Sequence, residues 1–234
     1  EQYGTIYGYD YIRHEATGAP IVNEAGTHYL TTENLVPVGN AAPRLIGGLN
    51  IEGKYKNFTL RALVDSKIGG DIYAGSYVIG LQTGQSPSTL HERDGNGLPF
   101  TSPDGTTSNI GIILPGVQAD GAPNEQVVHY YYKYLPNAGG WGKILTTPGI
   151  LDNTWAKMRE LSLSYQVPAK SISRLPFFQG LDVSLVGRDL FYFYSAIPDN
   201  INPEGISGSG NAQGLEWAAF PNMLSVSLRV SAQF

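Results

Sequence analysis

The last eleven residues alternate without exception: Leu224, Val226, Leu228, Val230, Ala232 and Phe234 are separated by Ser225, Ser227, Arg229, Ser231 and Gln233. A period of two sends successive side chains to opposite faces of an extended chain, so this stretch is a strand with one apolar and one polar face. Its length constrains the fold more than its periodicity does. A half-buried strand of a soluble domain is about five or six residues long, whereas a tilted strand crossing an outer membrane needs about 9 to 11. A long strand of a soluble barrel or sandwich is the competing reading.

The same signature recurs upstream. Leu45, Gly47, Leu49, Ile51 and Gly53 share a face opposite Arg44, Gly48, Asn50 and Glu52, with Ile46 an apolar intruder. Phe58, Leu60, Ala62, Val64 and Ile68 oppose Thr59, Arg61, Asp65 and Lys67, with Leu63 and Ser66 out of phase. A tight turn at Tyr55, Lys56 and Asn57 joins the two into a long hairpin. A fourth strand covers residues 159–167, with Leu161, Leu163, Tyr165 and Val167 opposing Glu160, Ser162, Ser164 and Gln166, and Pro168 stops it. A fifth begins at Leu181, loses phase over residues 187–190 and resumes in Phe191, Tyr192, Phe193 and Tyr194; a bulge near Gly187 would account for the slip. Residues 3–13 are a weaker candidate for a sixth strand.

Two tracts between these strands, residues 71–154 and 195–220, lack apolar periodicity. Only residues 124–135 read as a helix, capped by Asn124, stopped by Pro136 and carrying Val128, Tyr131, Tyr132 and Leu135 at helical spacing. Structureless tracts of this length are foreign to compact soluble domains, but they suit a membrane barrel, whose short periplasmic turns alternate with long external loops. The connections follow that order: short at residues 55–57, long after Gly70, short at residues 169–179, long after Tyr194. Aromatics flank the strands at Tyr55, Phe58, Trp155, Phe177 and Phe178, as membrane interfaces select. The expected fold is all-β: an antiparallel transmembrane β-barrel segment of about five or six long strands with long extracellular loops and a periplasmic carboxyl terminus. The polar row Arg44, Asn50, Glu52, Arg61, Asp65, Lys67, Glu160, Arg229 and Gln233 then faces a hydrated lumen, where charge avoids the desolvation cost it would incur against lipid.

Composition removes other functions. Lys plus Arg is 15 against 20 for Asp plus Glu, and no basic run exceeds two residues, so there is no footprint for nucleic acid. Cys is absent, and His14, His28, His91 and His129 show no metal-ligand spacing, so no metal site is expected. Asp94, Asn96 and Asp104 lie in turns without an EF-hand register. The acidic pairs Glu92/Asp94 and Asp199/Glu204 lack any cleft context, and neither a Gly-x-Ser-x-Gly elbow nor a Walker pattern occurs. Asn57-Phe-Thr59 matches a glycosylation triplet at a tight turn and is given no role. Catalysis and cofactors are therefore not expected.

Several stretches, in order, carry a resemblance. Val38-Gly-Asn-Ala-Ala-Pro-Arg-Leu-Ile-Gly-Gly-Leu-Asn, Tyr55-Lys-Asn-Phe-Thr-Leu, Gly69-Gly-Asp-Ile-Tyr, Trp155-Ala-Lys-Met-Arg-Glu-Leu-Ser-Leu-Ser-Tyr-Gln-Val-Pro, Leu185-Val-Gly-Arg-Asp-Leu-Phe, Ile201-Asn-Pro-Glu-Gly and the closing fifteen residues from Phe220 resemble the carboxyl-terminal part of SusC/RagA-like TonB-dependent outer-membrane receptors of Bacteroidota. The resemblance implies that residues 1–234 are the late strands of a 22-stranded barrel, with plug domain and TonB box outside this chain. It implies import of glycans or peptides together with a SusD-like surface lipoprotein, energy from the TonB system reaching the barrel through the plug, and insertion by the barrel-assembly machinery. Phe234 then matches the terminal aromatic of the assembly signal, and Ala232, Val230 and Leu228 continue its outward row. Arg44, Arg61, Glu160 and Arg229 are the candidate lumen-facing residues. Two positions depart from the family pattern: Asn202 stands where Asp is usual, and Asp189 where Asn is common. The alternative function is a soluble or surface β-rich carbohydrate-binding module.

Overall fold

The computed structural model describes residues 3–90, 95–134, 145–172, 177, 179–208 and 210–233. The chain forms two compact units and passes between them repeatedly: one holds Pro43–Gly70, Asn153–Ile197 and Phe220–Phe234, the other Glu1–Ala42, Asp71–Asp152 and Pro198–Ala219.

The first unit is a five-stranded antiparallel meander. Its strands are β1 (Leu45–Tyr55), β2 (Phe58–Ile68), β3 (Trp155–Gln166), β4 (Gly180–Ser195) and β5 (Ser225–Gln233), and spatial order equals chain order. Lengths of 11, 11, 12, 16 and 9 residues match what a membrane crossing requires. The pairs Tyr55↔Phe58, Gln166↔Asp182 and Gly180↔Gln233 place both short connections and the end of β5 at one end of the sheet. Leu45↔Ile68, Trp155↔Ser195 and Arg188↔Ser225 lie toward the other, from which the long tracts leave. Lys56 turns the first hairpin with a positive φ of 52°, and Asn57 ties that turn to β3, donating from Nδ2 to the Gln166 carbonyl at 2.8 Å. A single helical turn, Ala169–Ile172, fills the second short connection. The barrel is not closed, because β1 and β5 each have one unpaired edge among the described residues.

The phase slip in β4 is a register shift, and it faces an extra residue in β3. Arg159 is an extra residue between Met158↔Val64 and Glu160↔Leu63. Opposite it, between Phe191 and Arg188, β4 carries Asp189 and Leu190, with Asp189 at φ 52°. The expected bulge near Gly187 therefore lies two residues further on, where an Asp tolerates the left-handed backbone better than most side chains do. Leu63, out of phase in the sequence, sits opposite the doubled position.

The second unit corrects three expectations. Residues 71–154 and 195–220 are not loose loops: within this unit Asp71–Ala74 lies between Leu215–Glu216 and Ile150–Asp152, and Leu98–Thr101, Thr107–Ile113 and Val127–His129 form another sheet. Val22, Leu114 and Val128 make a buried cluster against Tyr29 and Ile112. The helix expected over residues 124–135 is absent where it can be seen. Val127 and Val128, β-branched, join a strand, only Tyr131–Tyr134 turns helically, and Asn124 is a buried staple whose amide donates to the Leu114 and Gly26 carbonyls. Leu135 and Pro136 lie outside the described residues, as do His91, Glu92, Asp94 and Phe178. Residues 3–13 do not extend the meander. Thr5–Gly8 is the strand here, it pairs with Val36–Asn40 across a register shift at Ile6/Tyr7, and beyond it the chain makes isolated bridges, Tyr9 with Leu145, Tyr11 with Thr31 and Arg13 with Pro20, while Asp10 accepts bonds from the Tyr11 amide and the Thr147 hydroxyl.

The helix Gly75–Gln82 is capped from far away. Ala74 precedes it without a capping side chain, and Glu216, 1% exposed, supplies the missing acceptor: Oε2 takes the Ser76 amide at 3.1 Å while Oε1 takes the Ser76 hydroxyl at 2.6 Å and the Ala219 amide at 3.1 Å. A carboxylate at a helix N-terminus is favoured by both the orphan donors and the dipole. Glu216→Ala leaves those partly buried donors without their acceptor and should destabilise this unit by about 1–2 kcal/mol. Faster hydrogen exchange of the Ser76 and Ala219 amides is the measurement; unchanged exchange would show that the carboxylate does not hold the helix.

Candidate functional site

Register assigns the sheet two faces. One carries Leu45, Leu49, Ile51 and Tyr55 beside Ile68, Val64, Leu60 and Phe58, followed by Leu161, Leu163 and Tyr165, then Val183, Leu185 and Phe191, then Val226, Leu228 and Val230. Most of these side chains are exposed, Leu228 at 70% and Val226 at 62%. An apolar face of this extent is much larger than the isolated exposed residues of an ordinary soluble surface. Near the turn end Phe58 and Tyr165 pack ring to ring at 4.8 Å, and near the other end Phe191 meets Phe193 edge-on at 5.0 Å.

The opposite face is predominantly polar, and several of its charges form ion pairs. Arg61 Nε lies 2.8 Å from Glu52, and Arg188 Nε 2.9 Å from Glu160. At the double bulge, Arg159 reaches Asp65 through Nε and Asp189 through Nη1, each at 2.7 Å. Lys157, 1% exposed, donates to the same Asp189 oxygen at 2.7 Å and to Asn222 Oδ1 at 2.5 Å, with its ammonium 4.9 Å from the centre of the Tyr192 ring. Two cations thus meet two carboxylates. The extra residue at the bulge makes this possible, since it brings Lys157, Arg159 and Glu160 to one side of the sheet.

Of the residues expected to line a lumen, Arg61, Glu160 and Arg229 lie on this polar face, Arg229 opposite Ser184. Arg44 precedes β1, exposed, with its amide bonded to the Ile68 carbonyl. Leu228, Val230 and Ala232 share the apolar row of β5, and Phe234 lies outside the described residues. Asn202 accepts the Glu204 amide through its side chain at 3.1 Å, closing a local turn. Sequence reasoning missed Lys157 and Arg159 because it began the strand at Arg159, and Asn222 because it precedes the alternating run and its partners come from two other strands. The spacing Lys157-x-Arg159, with Asp65 already placed on a neighbouring polar row, was the available signal.

Charge on Asp189 should matter more than charge on Asp65. Asp189→Asn preserves the tolerance for a left-handed backbone but leaves a buried ammonium without its carboxylate, a loss of about 3–5 kcal/mol. Asp65→Asn leaves Arg159 still paired with Asp189 and should cost roughly 1 kcal/mol or less. The urea concentration at which the full chain loses protease resistance measures both, and equal midpoints for the two variants would contradict this ranking.

No protein-family model matches the chain, and no curated protein matches it. Solved structures do. A chain of the RagAB peptide importer in its open-open state superposes with a TM-score of 0.55 at 13% identity over 98% of this chain, and a chain of the RagAB peptide transporter with 0.52 at 13% identity over 97%. This chain spans about a fifth of their length, 22% in each case. At that identity the match establishes a shared fold.

Proposed function

We propose that this chain forms part of the wall of an outer-membrane β-barrel transporter of the SusC/RagA type, importing peptides or glycans. The observation that carries the reading is the two-faced sheet: five strands long enough to cross a membrane, one face an extended exposed apolar surface, the other a predominantly polar wall with several ion pairs. In water such an apolar surface would drive aggregation, whereas in a bilayer it is the side that meets lipid, and the ladder satisfies the backbone. The polar face then lines a hydrated interior. The free edges of β1 and β5 call for further strands of the same barrel, since a spanning sheet must close. The similarity in fold to chains of a peptide importer points the same way.

On this reading the short-turn end, with Tyr55, Gln166 and the end of β5, faces the periplasm, and the long tracts leave the sheet on the external side. A SusD-like lipoprotein partners the receptor there, the TonB system acts through a plug domain, and the barrel-assembly machinery reads the apolar row ending in Phe234. The chain contributes a wall rather than catalysis, with no cofactor.

The absence of Cys makes the orientation testable by single introduced thiols. In outer membranes, Val226→Cys and Leu228→Cys should resist a membrane-impermeant aqueous thiol reagent, while Ser227→Cys and Arg229→Cys should react from the lumen side. Equal aqueous labelling of both rows would sink the membrane reading.

Substitution gives a second contrast. Leu228→Arg puts a charge on the lipid face near the middle of β5, costing about 2–4 kcal/mol, whereas Arg229→Leu on the polar face should cost less. The amount of each variant recovered in outer membranes measures this. Normal assembly of Leu228→Arg with failure of Arg229→Leu would mean that the faces are reversed.

A further inference from the structure

The terminal strand has a register problem that its own sequence does not solve. A slip of one residue would turn every apolar side chain of β5 to the polar face, so alternation forbids it. A slip of two residues changes no side chain's face. Leu185, which lies opposite Leu228, would meet Val226 or Val230 instead, and one medium-sized aliphatic pair would replace another. The serines are equally degenerate. Ser227 Oγ donates to the Val186 carbonyl at 3.4 Å, and after a slip in one direction Ser225 would stand in its place. Among the described residues β5 ladders on β4 alone, so within this chain its register is set against that one neighbour.

Just before β5, one side chain reads position. Asn222 Nδ2 donates to the Asp189 carbonyl at 2.9 Å, while its Oδ1 accepts from Lys157 Nζ. Both partners are rigidly placed. Asp189 sits at the β4 bulge with φ 52°, and Lys157 is held in the third strand by the Asp189 carboxylate and the Tyr192 ring. The socket thus offers an acceptor and a donor that an amide satisfies together, and it is built from two neighbouring strands. Neither flanking residue two positions away, Phe220 or Leu224, has an amide to offer.

We infer that Asn222 is the register-setting residue of the terminal strand, and that Lys157 and Asp189 are the socket that receives it. The aliphatic row determines which face β5 presents, and Asn222 determines which of the face-preserving registers it occupies. Register at this edge decides which residues of β5 stand beside any further strand, so an error here would propagate along a closing barrel. The inference concerns the ladder and holds whatever covers the apolar face.

Disulfide trapping in the full chain tests it, because every introduced thiol is the only one of its kind. Leu185→Cys with Leu228→Cys reports the observed register; Leu185→Cys with Val226→Cys or with Val230→Cys reports a slip of two residues. Directly opposed residues fall within disulfide reach, whereas diagonal neighbours stand roughly 7–8 Å apart, at or beyond its limit. With Asn222 intact, oxidation of whole cells should cross-link 185 with 228 and leave the slipped pairs at background. Asn222→Ala should let a slipped pair appear at the expense of the native one. The exchange variant Asn222→Leu with Leu224→Asn should move the cross-link by two residues, from 228 to 230, because the strand follows its amide. A Leu163→Ala control, which weakens the sheet without touching the socket, should leave the pattern native.

An unchanged 185–228 cross-link in both Asn222 variants would overturn the inference. Loss of all cross-links in both would overturn it too, since Asn222 would then be needed for β5 to pair at all rather than for where it pairs. Fractionation of the same cells reads the membrane proposal separately: a native pattern of cross-links in chain recovered from the soluble fraction would keep the register assignment and remove the transporter reading.

Discussion

A buried ammonium governs the polar face. Lys157 lies almost wholly out of solvent, and an unpaired charge there would cost more than the few kilocalories by which a fold of this size is stable. Its three protons find the Asp189 carboxylate, the Asn222 amide oxygen and the face of Tyr192. To deliver that carboxylate, β4 must bulge, and Asp189 must adopt a backbone that few side chains tolerate. To bring Arg159 alongside, β3 must carry its own extra residue. The bulges, the Asp at position 189 and the docking of the segment before β5 therefore have one cause. The resemblance to SusC/RagA-like receptors marked Asp189 as an anomaly; Lys157 makes it a requirement.

What could be read from the sequence divides along the range of the interactions. The pleat is local, so β1, β2 and β5 and the face of nearly every residue on them were legible from alternation alone. The phase slip in β4 was legible as a slip but not as a position, because a bulge is fixed by what the partner strand presents, here Arg159 and Lys157, and not by the bulged residues themselves. Trp155 and Lys157 are not legible as part of β3 for the same reason. Their alternation runs out of step with the rest of the strand until Arg159 is counted as an extra.

The second unit was illegible for a different reason. Its strands are mostly three to seven residues long, shorter than any window in which periodicity is decisive. Its stabilising contacts join residues far apart in sequence: Glu216 caps a helix that begins at Gly75, and Asn124 staples the Gly26 carbonyl. Asn124 illustrates the ambiguity well. An Asn before an apolar run is both a helix cap and a turn staple by local chemistry, and only the buried carbonyls of Leu114 and Gly26 decide between them.

The low identity to the importer chains follows from the same division. At 13% identity the fold still superposes over nearly the whole chain, which means that few individual side chains are needed to specify it. Exposed apolar positions on the sheet need only be apolar, because they carry no shape demand comparable to that of a packed protein core, and any of Leu, Val or Ile serves. The polar face is less permissive, since each buried charge must find a partner of opposite sign at hydrogen-bonding distance. Substitutions there must come in matched sets, as Lys157, Asp189 and Asn222 do. The residues that individuate this sheet among others of its fold therefore lie on the polar face and at the bulges, and the apolar face is the part that can vary while the architecture stays the same.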